Sequence, residues 1–75
     1  MVLPLNILLL LYRNGGFTTK NNICEYLKIS ESKLNSVVKV LSKRKYVKVQ
    51  GDKVYLTPIG RLVIEELSDL LAFSR

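Results

Sequence analysis

Residues 19–56 read TKNNICEYLKISESKLNSVVKVLSKRKYVKVQGDKVYL and decide the fold of this 75-residue chain. The first part has apolar residues at helical spacing and predicts two helices, from about Lys20 to Leu27 and from about Glu31 to Lys45. Thr19 and Ser30 precede them as suitable N-caps. Two helices joined by a tight turn form a helix-turn-helix, which is the first structural unit that the sequence predicts.

The two predicted helices each have an apolar inner face. In the first, Ile23 and Leu27 point inward and Tyr26 lies close to them. In the second, the inward stripe at helical spacing consists of Leu34, Val37, Val38 and Leu41. Short polar or cationic side chains remain on its other face, namely Ser32, Lys33, Asn35, Ser36, Lys39 and Lys43. The second helix of such a unit enters the major groove of DNA, so this face is the predicted recognition surface; an ordinary solvated helix face is the alternative.

Beyond the second helix, residues 46–56 change to a period of two. The dipeptide Gly51-Asp52 interrupts the alternation and predicts a two-residue hairpin loop. That loop pairs Val47 with Leu56, Lys48 with Tyr55, Val49 with Val54 and Gln50 with Lys53. A shift of one residue would break every match, so the agreement supports the hairpin. Its outer face, predicted to contact phosphates unless the hairpin only covers the core, carries Lys48, Gln50, Lys53 and Tyr55.

Apolar helices are predicted at both ends of the chain. The first runs from Pro4 to about Arg13, and Phe17-Thr18 follows as a short extended link. The last begins with Thr57 as N-cap and Pro58 at the first helical position, and it continues to about Ala72. Within it we interpret Gly60 as a tolerated weakness in helix propensity.

A second subunit is the expected cover for these terminal helices. The first is apolar almost all round, and a chain of 75 residues offers little material to surround it. The alternative is that the two terminal helices simply pack on each other. The residues predicted to form the dimer interface are Leu5, Leu8, Leu9, Tyr12, Leu67, Leu70 and Leu71.

The positive charge is confined to one third of the sequence. Residues 28–53 hold eight basic and two acidic residues, whereas the rest of the chain has four of each. This asymmetry favours a polyanionic partner over a basic surface that only aids solubility.

The segment 17–60, including Ile29-Ser30 at the turn and Leu56-Thr57-Pro58-Ile59-Gly60 after the hairpin, resembles the winged-helix domains of multiple-antibiotic-resistance and arsenical-resistance regulators. It is also similar to small winged-helix proteins of archaea and their viruses. The resemblance implies a DNA-binding regulator that dimerises through its first and last helices. Lys45 stands where the family usually has glycine, so we expect that helix end to be capped differently. The chain lacks the extra helices with which larger members bind effectors, so no small-molecule ligand is expected.

Together these observations predict one mainly α-helical winged helix-turn-helix domain with a small β-hairpin, in the order α1-(β1)-α2-α3-β2-β3-α4. Its parts are the helix-turn-helix at 19–45, the hairpin or wing at 46–56, and dimerisation helices at 1–14 and 57–73. The predicted function is sequence-specific binding of double-stranded DNA by a homodimeric transcription regulator. A winged helix that serves only as a protein-interaction module is the alternative.

Other classes of protein fit the residues poorly. Without histidine, and with a single cysteine, the chain offers neither a zinc site nor an internal disulfide, and no cofactor or enzymatic activity is expected. Cys24 is interpreted as a small buried apolar residue, with an intermolecular disulfide or a redox role left open. The apolar run from Val2 to Tyr12 is too short to span a bilayer and lacks the basic face of a membrane-surface helix. We therefore expect a soluble, cytoplasmic protein without a membrane partner, in the host cell if the source is viral.

Overall fold

A computed structural model describes the backbone of residues 2–73 and the side chains of residues 2–69. Its elements are α1 (Val2–Arg13), β1 (Phe17–Thr19), α2 (Lys20–Leu27), α3 (Glu31–Lys43), β2 (Val47–Gln50), β3 (Lys53–Leu56) and α4 (Pro58–Phe73). The mainly helical class, the winged helix-turn-helix architecture and the predicted order of elements are confirmed.

The three strands form one antiparallel sheet in the order β1-β3-β2. All four predicted residue pairs of the hairpin are present. Gly51 has a positive φ of 62°, which the first position of a tight hairpin loop requires. The predicted short strand β1 pairs with β3 and places Phe17 opposite Tyr55, a pairing that the sequence pattern did not predict. The wing therefore supplies the central strand, β3, and one edge strand, β2, of a three-stranded sheet.

Helix α1 lies at the centre of the hydrophobic core. Ile7 and Leu11 are fully buried, and α1 contacts α3, α4, β1 and β3 within the same chain. The other core residues come from every remaining helix and from both wing strands, and they include Ile23, Leu34, Val38, Leu41, Val47, Val54 and Ile64. One chain therefore surrounds α1 on several sides, contrary to the expectation that it could not. Tyr26, which was expected near the inward stripe of α2, is 63% exposed.

Helix α3 ends two residues earlier than predicted, because Lys45 adopts the left-handed conformation with φ 68°. The Tyr46 N–H donates to the Leu41 carbonyl and the Lys45 N–H to the Ser42 carbonyl, both at 3.0 Å. This pair of bonds is the Schellman motif, which usually places glycine at the left-handed position. The expectation of a different cap was wrong: lysine adopts the conformation that glycine would.

Thr57 links the start of α4 to the end of α3 through hydrogen bonds. Its hydroxyl donates to the Lys45 carbonyl at 2.6 Å, and its Oγ accepts the Gly60 N–H at 3.0 Å as the predicted N-cap. The Thr57 N–H donates to the Tyr46 carbonyl at 3.0 Å. These bonds fix the junction between α3, β2 and α4.

Close packing at this junction requires glycine at position 60. A Cβ placed there would overlap the Tyr46 carbonyl oxygen and come within 2.8 Å of the Leu56 side chain. The interpretation of Gly60 as a tolerated weakness was incomplete, because the close approach of two backbone segments leaves no room for a side chain.

Over residues 2–73, no helix is both long and apolar enough to cross a membrane.

Candidate nucleic-acid interface

The predicted recognition surface lies on one exposed face of α3. Ser30 begins the helix by accepting the Lys33 N–H at 3.1 Å, and Leu34, Val38 and Leu41 anchor the opposite face in the core. The predicted recognition residues are all exposed: Ser32, Lys33, Asn35, Ser36, Lys39 and Lys43. The Ser36 hydroxyl donates to the Ser32 carbonyl at 3.2 Å, so that proton is engaged by the helix. Five of the six, Ser32, Asn35, Ser36, Lys39 and Lys43, line the two hollows beside α3, whereas Lys33 lines neither.

Two open hollows adjoin α3. One, of about 490 Å³, is lined by Glu31, Ser32, Asn35, Ser36 and Lys39. The other, of about 600 Å³, lies between α3 and the sheet and is lined by Lys20, Asn35, Val38, Lys39, Ser42, Lys43 and Val49. Asn35 and Lys39 belong to both hollows, which puts them at the centre of the surface. An amide and an ammonium group there suit base edges and phosphates.

Lys20 is part of this groove and was absent from the predicted set. It begins α2, and its backbone N–H donates to the Asp52 carbonyl in the hairpin loop at 2.7 Å. The charge count began at residue 28 and so left Lys20 out. Lys20 could have been predicted as a DNA contact from its position at the start of the first helix of the helix-turn-helix, because both helices of this unit approach the DNA backbone.

The outer face of the wing carries its predicted residues in two rows across the sheet. Lys48, Gln50 and Lys53 are exposed, and Tyr55 is half-buried. The Tyr55 ring stacks on that of Phe17, with centroids 5.3 Å apart and planes at 21°. The pairing of Phe17 with Tyr55 depends on β1 joining the sheet, which the sequence pattern did not show.

The predicted dimerisation residues occupy different environments. Leu5 is 37% exposed, whereas Leu8 is 4% exposed and packs in the core of its own chain. Leu9, Tyr12 and Leu67 are half-buried. The side chains of Leu70 and Leu71 lie outside the described residues.

Helices α1 and α4 also contact each other within the chain. The Tyr12 hydroxyl donates to Glu65 at 3.2 Å, and the Arg61 guanidinium lies 5.5 Å from the centroid of the Tyr12 ring. The alternative that the terminal helices pack on each other is thus realised in part. Exposed apolar side chains remain on both helices, namely Val2, Leu5, Ile59 and Leu62.

A helix-turn-helix whose second helix exposes a polar face, followed by a basic wing, defines the winged-helix class of DNA-binding proteins. The family model described as the MarR family matches residues 3–54, more than half of the chain, and the chain belongs to that family. The family consists of DNA-binding transcription regulators rather than enzymes, which supports the same general function here. No curated protein and no solved structure gives a significant match.

Proposed function

We propose that this chain is a transcription regulator that binds specific sequences of double-stranded DNA as a homodimer. The observation that carries the proposal is the exposed polar face of α3, centred on Asn35 and Lys39 and flanked by the basic groove that includes Lys20. The proposal takes residues 19–45 as the reading unit, 46–56 as the wing, and 1–14 and 57–73 as dimerisation helices. The cytoplasmic location and the absence of a small-molecule ligand remain predictions.

Residues of α3 have different roles in this proposal. An asparagine amide can form two hydrogen bonds with an adenine edge, so Asn35 is assigned to sequence reading. Lys39 and Lys43 lie along the groove toward the sheet and are assigned mainly to phosphates. Ser36 retains acceptor capacity, since its proton is held by the Ser32 carbonyl.

The wing and α2 position the reading helix. Lys53 and Lys48 on the outer face and Lys20 at the start of α2 are assigned to the phosphate backbone. The hydrogen bond from Lys20 to the carbonyl of Asp52 holds the hairpin loop against α2. In this proposal, the wing and the helix-turn-helix therefore contact DNA together.

Dimerisation is inferred from the apolar side chains that the monomer leaves in water. Val2 is 67% exposed, Ile59 51% and Leu62 57%. These residues replace Leu8 as candidates, because Leu8 already lies in the core. A two-fold axis between two copies would place their α3 helices about 34 Å apart, one turn of DNA.

The proposal is tested by selecting bound duplexes from a random pool and then measuring affinities by fluorescence anisotropy across a salt series. We expect affinity to fall steeply with salt, since several lysines displace counterions from phosphates. Lys39→Ala should weaken binding to all sequences and lower the salt slope by about one. Asn35→Ala should relax base preference at one position, with a discrimination loss of about 1–3 kcal/mol.

The matched control is Arg13→Ala, which removes the same charge from the end of α1, outside the basic stretch. It should leave affinity and preference nearly unchanged. Salt-independent binding, or an unchanged footprint and affinity in both α3 variants, would refute the assignment of this surface. No duplex binding at physiological salt would favour the protein-interaction alternative.

A further inference from the structure

We propose that the outer face of the sheet binds single-stranded DNA by stacking an unpaired base on the Phe17–Tyr55 pair. This surface is separate from the polar face of α3, although its Lys48 and Lys53 are also assigned to duplex phosphates, and the inference does not require that α3 reads a duplex. It assigns a ligand to the ring of Phe17, which is not among the predicted duplex contacts, together with that of Tyr55, which is.

The strand register places the aromatic pair beside a cation. Phe17 lies opposite Tyr55, and Tyr55 lies opposite Lys48 on the other neighbouring strand. Directly opposite residues project from the same face with Cβ atoms about 5 Å apart. The face therefore presents two rings and an ammonium group in one row across three strands.

A second row lies toward the hairpin loop, about 7 Å along the strands. It consists of Thr19, Lys53 and Gln50. The two rows contain two lysines and no acidic side chain, while Asp52 lies beyond them in the loop. This charge distribution complements a polyanion whose backbone follows the sheet.

Phe17 is the more exposed ring of the pair, whereas Tyr55 is half-buried. Phe17 remains 47% exposed although it stacks on Tyr55. A cross-strand aromatic contact stabilises a sheet modestly, and on the inner face it would also bury both rings. Here the pair faces water, and a planar group added to the stack would cover it.

A hollow on the Tyr55 side of the pair, which Phe17 does not line, offers space for the nucleotide next to the one that stacks on Phe17. It has a volume of about 280 Å³ and is lined by Lys48, Gln50, Tyr55, Leu56, Thr57 and Pro58. Its walls are mainly apolar, and Gln50 adds amide groups that can hydrogen-bond to a base edge. An apolar floor with an amide and an ammonium at the rim suits a base and its phosphate.

Aromatic rings combined with lysines are the means by which proteins hold single strands without strong sequence preference. Bases within a duplex are stacked on each other and expose only their edges, so they cannot extend this stack. We commit to DNA because the chain belongs to a family of DNA-binding regulators and its reading helix adjoins the same sheet.

The test measures anisotropy of a labelled oligothymidylate of about 12 nucleotides at low salt, with the same length of oligouridylate and a random duplex as separate arms. The variants are Phe17→Leu, which keeps an apolar side chain without a ring, and Phe17→Tyr, which restores one. Loss of stacking should weaken oligothymidylate binding about tenfold in Phe17→Leu, and Phe17→Tyr should bind like the unaltered chain. Duplex affinity should be unchanged in both, and thermal unfolding confirms that each is folded.

A chain that fails to bind oligothymidylate, or binds only oligouridylate, overturns the inference. Equal weakening by Phe17→Leu and Lys39→Ala would also overturn it, since the single strand would then occupy α3. Failure of duplex binding alone would overturn the proposed function and leave oligothymidylate binding intact, so the two failures are distinguishable.

Discussion

Gly60 shows how a single residue is determined by its neighbours rather than by its own helix propensity. It stands near the start of α4, where alanine would be preferred in an isolated helix by about 1 kcal/mol. The Tyr46 carbonyl and the Leu56 side chain occupy the space that a methyl group would need. Helix propensity favours alanine at position 60, whereas close packing disfavours it. The stability of a single substitution therefore shows which effect is larger.

Gly60→Ala is expected to destabilise the fold by about 2 kcal/mol, because overpacking outweighs the gain in helix propensity. The free energy of unfolding in urea, followed by circular dichroism, measures the change. Ser68→Ala is the control, at an exposed position of the same helix, and should be neutral or slightly stabilising. A more stable Gly60→Ala variant would show that the close approach is not rigid.

At the scale of elements, the end of α3 retains a local strain. Lys45 holds a left-handed conformation that costs an L-residue about 1–2 kcal/mol. The two hydrogen bonds from Lys45 and Tyr46 that complete the Schellman motif hold it there. Thr57 adds a third constraint through its bond to the Lys45 carbonyl.

Lys45→Gly is therefore expected to stabilise the protein by about 0.5–1 kcal/mol, since relief of strain exceeds the added entropy of the unfolded chain. Arg44→Gly is the matched control, one residue earlier with an ordinary φ of −84°. It removes a similar charge without relieving strain, and should destabilise by about 0.5–1 kcal/mol. Equal destabilisation by both substitutions, measured by urea unfolding, would contradict this account of the helix end.

The elements that follow from local pattern were predictable, and those that depend on distant contacts were less so. Alternation and the two-residue loop were enough to give the hairpin register, and Thr19, Ser30 and Thr57 marked three helix starts. Strand β1 has only three residues, too few for alternation to reveal its pairing with β3. The Phe17–Tyr55 stack could not be predicted from the sequence for the same reason.

The same distinction applies to the candidate site: some of its residues follow from local sequence pattern, and others depend on distant contacts. The polar face of α3 follows from helical periodicity, because the apolar stripe fixes which side is exposed. Lys20 joins that surface only through the tertiary contact between the start of α2 and the hairpin loop. The burial of Leu8 likewise depends on how α1 packs among distant elements, which its uniformly apolar sequence could not specify.

At the scale of the whole molecule, the basic excess lies outside the two terminal helices, which expose Val2, Leu5, Ile59 and Leu62, although Phe17, Tyr26 and Val40 are exposed elsewhere. The reading helix and the wing hold the basic excess, whereas α4 carries Glu65, Glu66 and Asp69 and exposes Ile59 and Leu62. This separation allows one side of the molecule to meet DNA while the other meets a second copy. Binding by both copies would couple the two processes, because a dimer that holds two half-sites gains from the high effective concentration of the second reading helix.

Leu5→Glu is accordingly expected to shift the dimer toward monomer, because it places a charge among apolar side chains of the proposed interface. Leu5 is 37% exposed, so the substitution does not cut into the core of the chain. Sedimentation equilibrium over a concentration series measures the dissociation constant, which should rise at least about tenfold, and affinity for a two-half-site duplex should fall with it. Val40→Glu adds the same charge at a 51% exposed position on α3, outside the proposed interface, and should leave the association unchanged. A monomeric unaltered protein, or equal weakening by both variants, would rule out the α1 and α4 surface as the site of dimerisation, while the α3 variants would still report on DNA binding independently.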